Sequence, residues 1–178
     1  MDALRQQITA GIRILNDPQY RQGAHRSRQL QKLREVTRRI FDFKEFSRRV
    51  LASRWKKFTP LQQKEFVAVF GTFLEKFYLA RLQGRYHGEQ VVYLEQQMIG
   101  HAKALVDIKV LWHNLKVPVT LRMTRRGGSW KVYDISALGI SAVRNYRAQF
   151  KVILDHESPG QVIARLKRKL AALDSKLP

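Results

Sequence analysis

The sequence predicts an α+β fold, in which helices from both ends of the chain pack on one face of a curved antiparallel sheet. Apolar residues recur with a helical period up to about residue 83 and again from residue 140. In between, over residues 89–135, apolar and polar residues alternate as they do in half-buried strands. Helices and strands are thus segregated along the chain, which argues against an alternating, parallel-sheet fold.

Four helices are predicted before the sheet. The first ends at Asp17-Pro18, because a proline-containing turn breaks the helical pattern. Thr59-Pro60 begins the longest helix, since threonine can cap free amides and proline at the first helical position loses no needed donor. These helices span residues 2–15, 27–41, 42–55 and 60–83.

About four antiparallel strands are predicted over residues 89–135. The pair Gly127-Gly128 supplies a hairpin turn between two of them. Two helices follow at 140–155 and 159–173, the second after the start signal Ser158-Pro159. There is no internal repeat, and the length favours one domain over residues 1–178.

The charge balance predicts an anionic partner. The chain has 34 Lys and Arg against 14 Asp and Glu, a formal net charge of +20. Nucleic acid and an anionic membrane surface would both be attracted by that charge. The absence of cysteine excludes disulfides, thiolate zinc sites and cysteine nucleophiles.

Signals for catalysis are weak. The five histidines form no metal-binding pair in the sequence, and no nucleophile elbow surrounds a serine. Asp134 is expected to act structurally, by capping the segment 136–141. The sequence therefore predicts no enzyme activity, no metal and no cofactor.

Three motifs resemble the MlaC family, also called the toluene-tolerance family, and the resemblance extends over about residues 35–173. They are FDF at 41–43 with Ser47 and WKKFTP at 55–60; RYHG at 85–88; and WKVYDI at 130–135 with GIS at 139–141, NYR at 145–147 and QF at 149–150. One position departs from the family pattern. Members commonly carry an acidic residue before the glycine of GIS, where this chain has Leu138.

The resemblance implies a monomeric periplasmic lipid carrier with phospholipid as its cargo. The acyl chains would enter a hydrophobic pocket between the sheet and the helices, leaving the head group at the mouth. Outer-membrane and inner-membrane Mla-type complexes would be its partners. If the protein is exported, we expect that a signal peptide preceding the present Met1 has been removed.

The walls of such a pocket are expected among apolar side chains selected by periodicity. They are Phe66, Phe70, Phe73, Phe77, Tyr78, Val106, Ile108, Val110, Trp112, Val143, Tyr146 and Phe150. The alternative is that the same side chains form a closed core.

Five further residues are candidates for binding the head group, because a guanidinium offers a phosphate two parallel donors. They are Arg85, Tyr86, His87, Arg144 and Arg147. A plain turn at 85–87 and a solvated helix surface at 144–147 are the alternatives.

The rival function is a basic module that binds nucleic acid or an anionic surface. Its footprint would be residues 21–57, which hold 13 of the 34 basic residues. No nucleic-acid-binding motif accompanies them, so the lipid carrier is preferred.

Overall fold

The fold is α+β with one antiparallel sheet, as the sequence predicts, in a computed structural model that describes residues 2–20, 25–112 and 114–175. Four helices precede the sheet: α1 (Asp2–Asn16), α2 (Arg26–Ile40), α3 (Phe43–Leu51) and α4 (Pro60–Arg85). The strands are β1 (Gln90–Met98), β2 (Lys103–Trp112), β3 (Leu115–Arg126), β4 (Ser129–Ala137) and β5 (Ile140–Ser141). Helices α5 (Ala142–His156) and α6 (Pro159–Asp174) complete the order.

The third helix is shorter than predicted. The predicted helix spans residues 42–55, whereas α3 ends at Leu51 and a 3-10 helix continues over Ala52–Lys57. Ala52 has a φ of 50°, a left-handed conformation that interrupts a right-handed helix. The bounds of the other helices lie within two residues of the predicted ones.

The chain divides into two compact units, each made of two chain segments. Met1–Asp42 and Leu79–Ser141 form the first, here called the sheet unit. Phe43–Tyr78 and Ala142–Pro178 form the second, here called the helical unit. The single domain expected over residues 1–178 stays a prediction.

In the sheet unit, the strands follow one another in the order β1-β2-β3-β4-β5, and each pairs antiparallel with its neighbour. The two-residue strand β5 adds to the four that the sequence predicts. One face of the sheet is buried around Val106, Ile108, Leu121 and Val132, together with Leu4 of α1. Because side chains alternate across a strand, these residues share one face and form the core of this unit.

In the helical unit, a cluster of aromatic rings forms the core. Phe66 and Phe70 of α4 have no exposed surface and lie with their ring centroids 5.2 Å apart. Helix α3 can approach α4 because position 71 is glycine: a Cβ there would lie 3.3 Å from the Phe43 ring. The ring centroid of Phe46 in α3 lies 5.8 Å from that of Phe70, so α3 covers part of this aromatic face of α4.

Candidate functional site

The twelve predicted wall residues divide between the two units. Four of them, at alternate positions of β2, belong to the sheet unit, and the other eight to the helical unit. Within each unit, some of these side chains are buried in the core and others keep accessible surface.

The buried members in the helical unit contact one another closely. Phe150 of α5 lies edge-on to both Phe66 and Phe70, at centroid distances of 5.3 and 5.2 Å. Val143 is also buried. Other protein side chains already cover these residues. This is what the closed-core alternative predicts for them.

Further along α4 the aromatic side chains are only partly covered. Phe73 and Phe77 are half-buried and stacked with their centroids 5.6 Å apart. Tyr78 is 49% exposed, and its hydroxyl lies 3.0 Å from the hydroxyl of Tyr146, which is half-buried. This part of the helical unit therefore presents apolar rings with polar groups at one edge.

The exposure of the four wall residues of β2 also increases along one face of the sheet. Val106 and Ile108 are buried in the core, whereas Val110 is half-buried and Trp112 is 39% exposed. Trp112 pairs with Leu115 of β3, which is 59% exposed. The face that forms the core at one end of the sheet thus continues as accessible apolar surface at the other.

Three head-group candidates lie where α4 ends, and local hydrogen bonds order the turn there. The His87 amide donates to Glu89 Oε2 at 2.9 Å, and His87 Nδ1 lies 2.6 Å from the Arg85 carbonyl oxygen. Tyr86 accepts a hydrogen bond from Asn16 Nδ2 at 3.0 Å. The structure therefore brings the end of α4 against the end of α1.

Tyr86 and His87 line a cavity of about 470 Å³ in the sheet unit. Its other polar lining residues come from the end of α1, the segment after it, the start of α2 and the end of α4: Asn16, Asp17, Tyr20, Arg26, Gln29 and Gln83. Sequence reasoning missed this cavity, because its residues come from separate segments and form no local motif.

The other two head-group candidates lie on α5, and both are exposed. Arg147 donates from Nε and Nη2 to the Arg49 carbonyl oxygen, at 3.0 and 2.8 Å. One edge of its guanidinium thus holds the end of α3 and is not available to a ligand in this arrangement. Arg144 also interacts with other residues.

Two buried carboxylates make structural contacts. Asp134 accepts a hydrogen bond from the Ser141 hydroxyl at 2.7 Å and lies 3.5 Å from Arg122 Nε, so it ties β4 to β5. Glu45 accepts from Arg48 at 2.7 and 3.0 Å and from Arg49 at 2.8 Å. The Arg48 hydrogen bonds, with the charges of both arginines, hold the pKa of Glu45 below its usual value although burial opposes this.

Neither a metal cluster nor a membrane-spanning helix is found in the part of the chain that the structure describes. Within residues 2–20, 25–112 and 114–175, no three His, Asp or Glu side chains are grouped so that they could hold a metal ion. No helix of the same ranges is long and apolar enough to cross a membrane.

The family described as MlaC protein matches residues 5–168. The chain belongs to the MlaC family. The family recognised from the three motifs is therefore confirmed, and the match extends beyond them into α1.

A curated relative of this MlaC-family chain is named intermembrane phospholipid transport system binding protein MlaC, from Haemophilus influenzae. The two are 22% identical over 125 residues, which cover 67% of this chain. The aligned part spans 58% of the length of that relative.

A solved structure similar to this MlaC-family chain is the phospholipid-binding protein from Ralstonia solanacearum, determined in complex with a phospholipid. The TM-score is 0.79 at 24% sequence identity, and the match covers 96% of each chain. At that identity the likeness establishes the fold.

Proposed function

We propose that this chain is a periplasmic carrier that binds the acyl chains of a phospholipid and moves the lipid between outer-membrane and inner-membrane complexes. The observation that carries the proposal is the MlaC family match over residues 5–168. The relative from Haemophilus influenzae is named for phospholipid transport, and the similar solved structure contains a phospholipid. Both names support the same cargo for this chain.

The accessible apolar side chains support a carrier of acyl chains. Phe73, Phe77 and Tyr78 in the helical unit, and Val110 and Trp112 in the sheet unit, keep surface that a closed core would have covered. Each methylene sheltered from water contributes roughly 0.8 kcal/mol, so contact with such surfaces would hold an acyl chain firmly. We assign direct contact with lipid to these five side chains.

The other seven predicted wall residues have a supporting role in this proposal, each within its own unit. Phe66, Phe70 and Phe150 cover one another, so their role is to hold the accessible rings in place. The remaining four with this role are Val106, Ile108, Val143 and Tyr146. A pocket occupies part of an interior, and the rest has to pack densely.

The proposed carrier performs no covalent chemistry, and phospholipid is its cargo rather than a cofactor. Its partners would be Mla-type complexes in the two membranes. Those complexes would set the direction of transport, because a carrier can only follow differences in free energy that its partners impose. The net charge of +20 would draw the protein reversibly toward anionic head groups or acidic partner surfaces.

The experiment that tests this proposal compares lipid retention by Phe77→Asp and Val152→Asp, each purified from a Gram-negative host. Phe77 is half-buried beside accessible rings, whereas Val152 is a 62% exposed apolar residue of α5. A carboxylate against an acyl chain is costly, so Phe77→Asp should lower the ratio of extracted phospholipid to protein severalfold. Val152→Asp should leave this ratio unchanged; equal retention by both variants would contradict the proposed wall.

A further inference from the structure

The polar cavity of the sheet unit has the size of a ligand site. Its volume of about 470 Å³ lies within the range of small-molecule pockets. Its lining residues are brought together by the fold rather than by one loop, since α1, α2 and α4 all contribute.

Hydrogen bonds between helices hold part of this lining. Gln29 is 5% exposed and donates from Nε2 to the Ile14 carbonyl oxygen at 2.7 Å. Gln83 donates to Gln29 Oε1 at 2.6 Å and to the Arg26 carbonyl oxygen at 3.0 Å. These bonds hold the start of α2 against α4. They also hold the backbone of Arg26, the residue that carries the cationic group of the cavity.

That cationic group is the guanidinium of Arg26. Its Nη2 lies beside the backbone of α4, 3.9 Å from where a Cβ on Gly84 would be. Within the described residues, no hydrogen bond or ion pair engages the Arg26 side chain. The one lining carboxylate, Asp17, accepts instead from the backbone and side-chain amides of Gln19.

One lining residue, Tyr20, also carries a buried polar atom. Tyr20 is 4% exposed, and its hydroxyl has no hydrogen-bond partner among the residues that the structure describes. Buried polar atoms are nearly always paired, and leaving one unpaired costs about 1–3 kcal/mol. The lining therefore includes a residue whose hydrogen bonding is incomplete within the described part of the chain.

We propose that this cavity binds a phosphate-bearing polar group, with the phosphate on the Arg26 guanidinium. A guanidinium presents parallel donors that match phosphate oxygens, and Asn16, Tyr86 and His87 add polar groups for the rest of the ligand. The phosphate could come from a lipid head group or from a soluble phosphate ester. The first source rests on the proposed carrier function, whereas the second does not.

The test titrates the full chain with glycerophosphoethanolamine and with inorganic phosphate, and follows backbone amides by two-dimensional NMR. Saturable shifts at Arg26, Gln83 and Gly88 are expected. Arg26→Gln should weaken binding about tenfold or more, the effect of losing a charge-assisted pair. Arg28→Gln is the matched control, because Arg28 is exposed on the same helix and lies outside the cavity lining.

Lipid retention by the same two variants separates the two sources of phosphate. A lower lipid-to-protein ratio in Arg26→Gln alone identifies the ligand as a head group. Unchanged retention, with weakened binding of the soluble probes, identifies a soluble phosphate ester. Absence of saturable shifts in the cavity, or equal binding by Arg26→Gln and the original chain, would overturn the proposal whether or not the protein carries lipid.

Discussion

At the scale of single residues, several side chains are fixed by their partners in ways that spacing along the sequence does not reveal. Periodicity marks Phe66, Phe70, Phe73 and Phe77 as one face of α4 but cannot say which are covered. The structure divides them into buried and half-buried pairs, because α3 and α5 cover the first two. The sequence alone therefore does not separate the covered positions of this helix from the half-buried ones.

Glu45 provides a test of stability against pH at this scale. Its pKa is lowered in the folded protein, so its contribution to stability is complete above the unfolded value of about 4.5 and is lost as the pH falls through the folded pKa. The free energy of unfolding should therefore drop below about pH 4.5 more steeply in the original chain than in Glu45→Gln.

Urea unfolding at a series of pH values measures this difference. At neutral pH, Glu45→Gln should cost about 2 kcal/mol, because two partly exposed arginines lose a buried partner. Glu35→Gln, on the exposed face of α2, is the control and should leave the stability at neutral pH almost unchanged. Parallel pH curves for the original chain and Glu45→Gln would contradict the assigned contacts.

At the scale of elements, the turn between β4 and β5 holds Leu138 in a conformation that leucine disfavours. Leu138 and Gly139 connect the paired residues Ala137 and Ile140, and both have positive φ, 51° and 79°. A two-residue turn of this kind favours Asn, Asp or Gly at its first position. Leu138 is therefore strained at this position.

Replacing Leu138 should therefore stabilise the protein. Leu138→Asn is expected to raise the free energy of unfolding by about 1 kcal/mol, since Asn tolerates the left-handed conformation better than Leu. Ile140→Asn is the matched control: both side chains are 67% exposed, but Ile140 lies in a strand. Thermal or urea unfolding measures both variants. Equal effects of the two substitutions would mean that the loss of exposed apolar surface, and not the relief of backbone strain, changes the stability.

Helix α4 is predicted to carry core and wall positions on one face. Phe70→Ala should lower the free energy of unfolding by about 3–5 kcal/mol, because it empties a position with no exposed surface. Phe77→Ala should cost clearly less in lipid-free protein, since Phe77 is half-buried. Equal losses in urea unfolding would mean that both rings belong to the closed core.

Much of the fold was predictable from the sequence, since segment order, hairpin signals and helix starts each have a local physical cause. Ser158 forms the expected start of α6, as a capping box with Gln161. The end of α3 was not predictable, because nothing in the residue type of Ala52 indicates its left-handed backbone. The polar cavity was equally hidden, because tertiary contacts alone bring Arg26 and His87 to it.

At the scale of the whole molecule, the central claim is that this MlaC-family chain carries phospholipid. The competing account uses the net charge of +20 for binding nucleic acid. The two accounts predict different molecules bound to the purified protein, because acyl chains are retained by apolar contact whereas nucleic acid is released by salt.

The most direct test is native mass spectrometry of the protein purified from a Gram-negative host, followed by denaturing extraction of what it retains. The account predicts a phospholipid at near-unit stoichiometry that survives washing in high salt. Lipid-free protein that carries nucleic acid before these washes, and releases it in high salt, would contradict it.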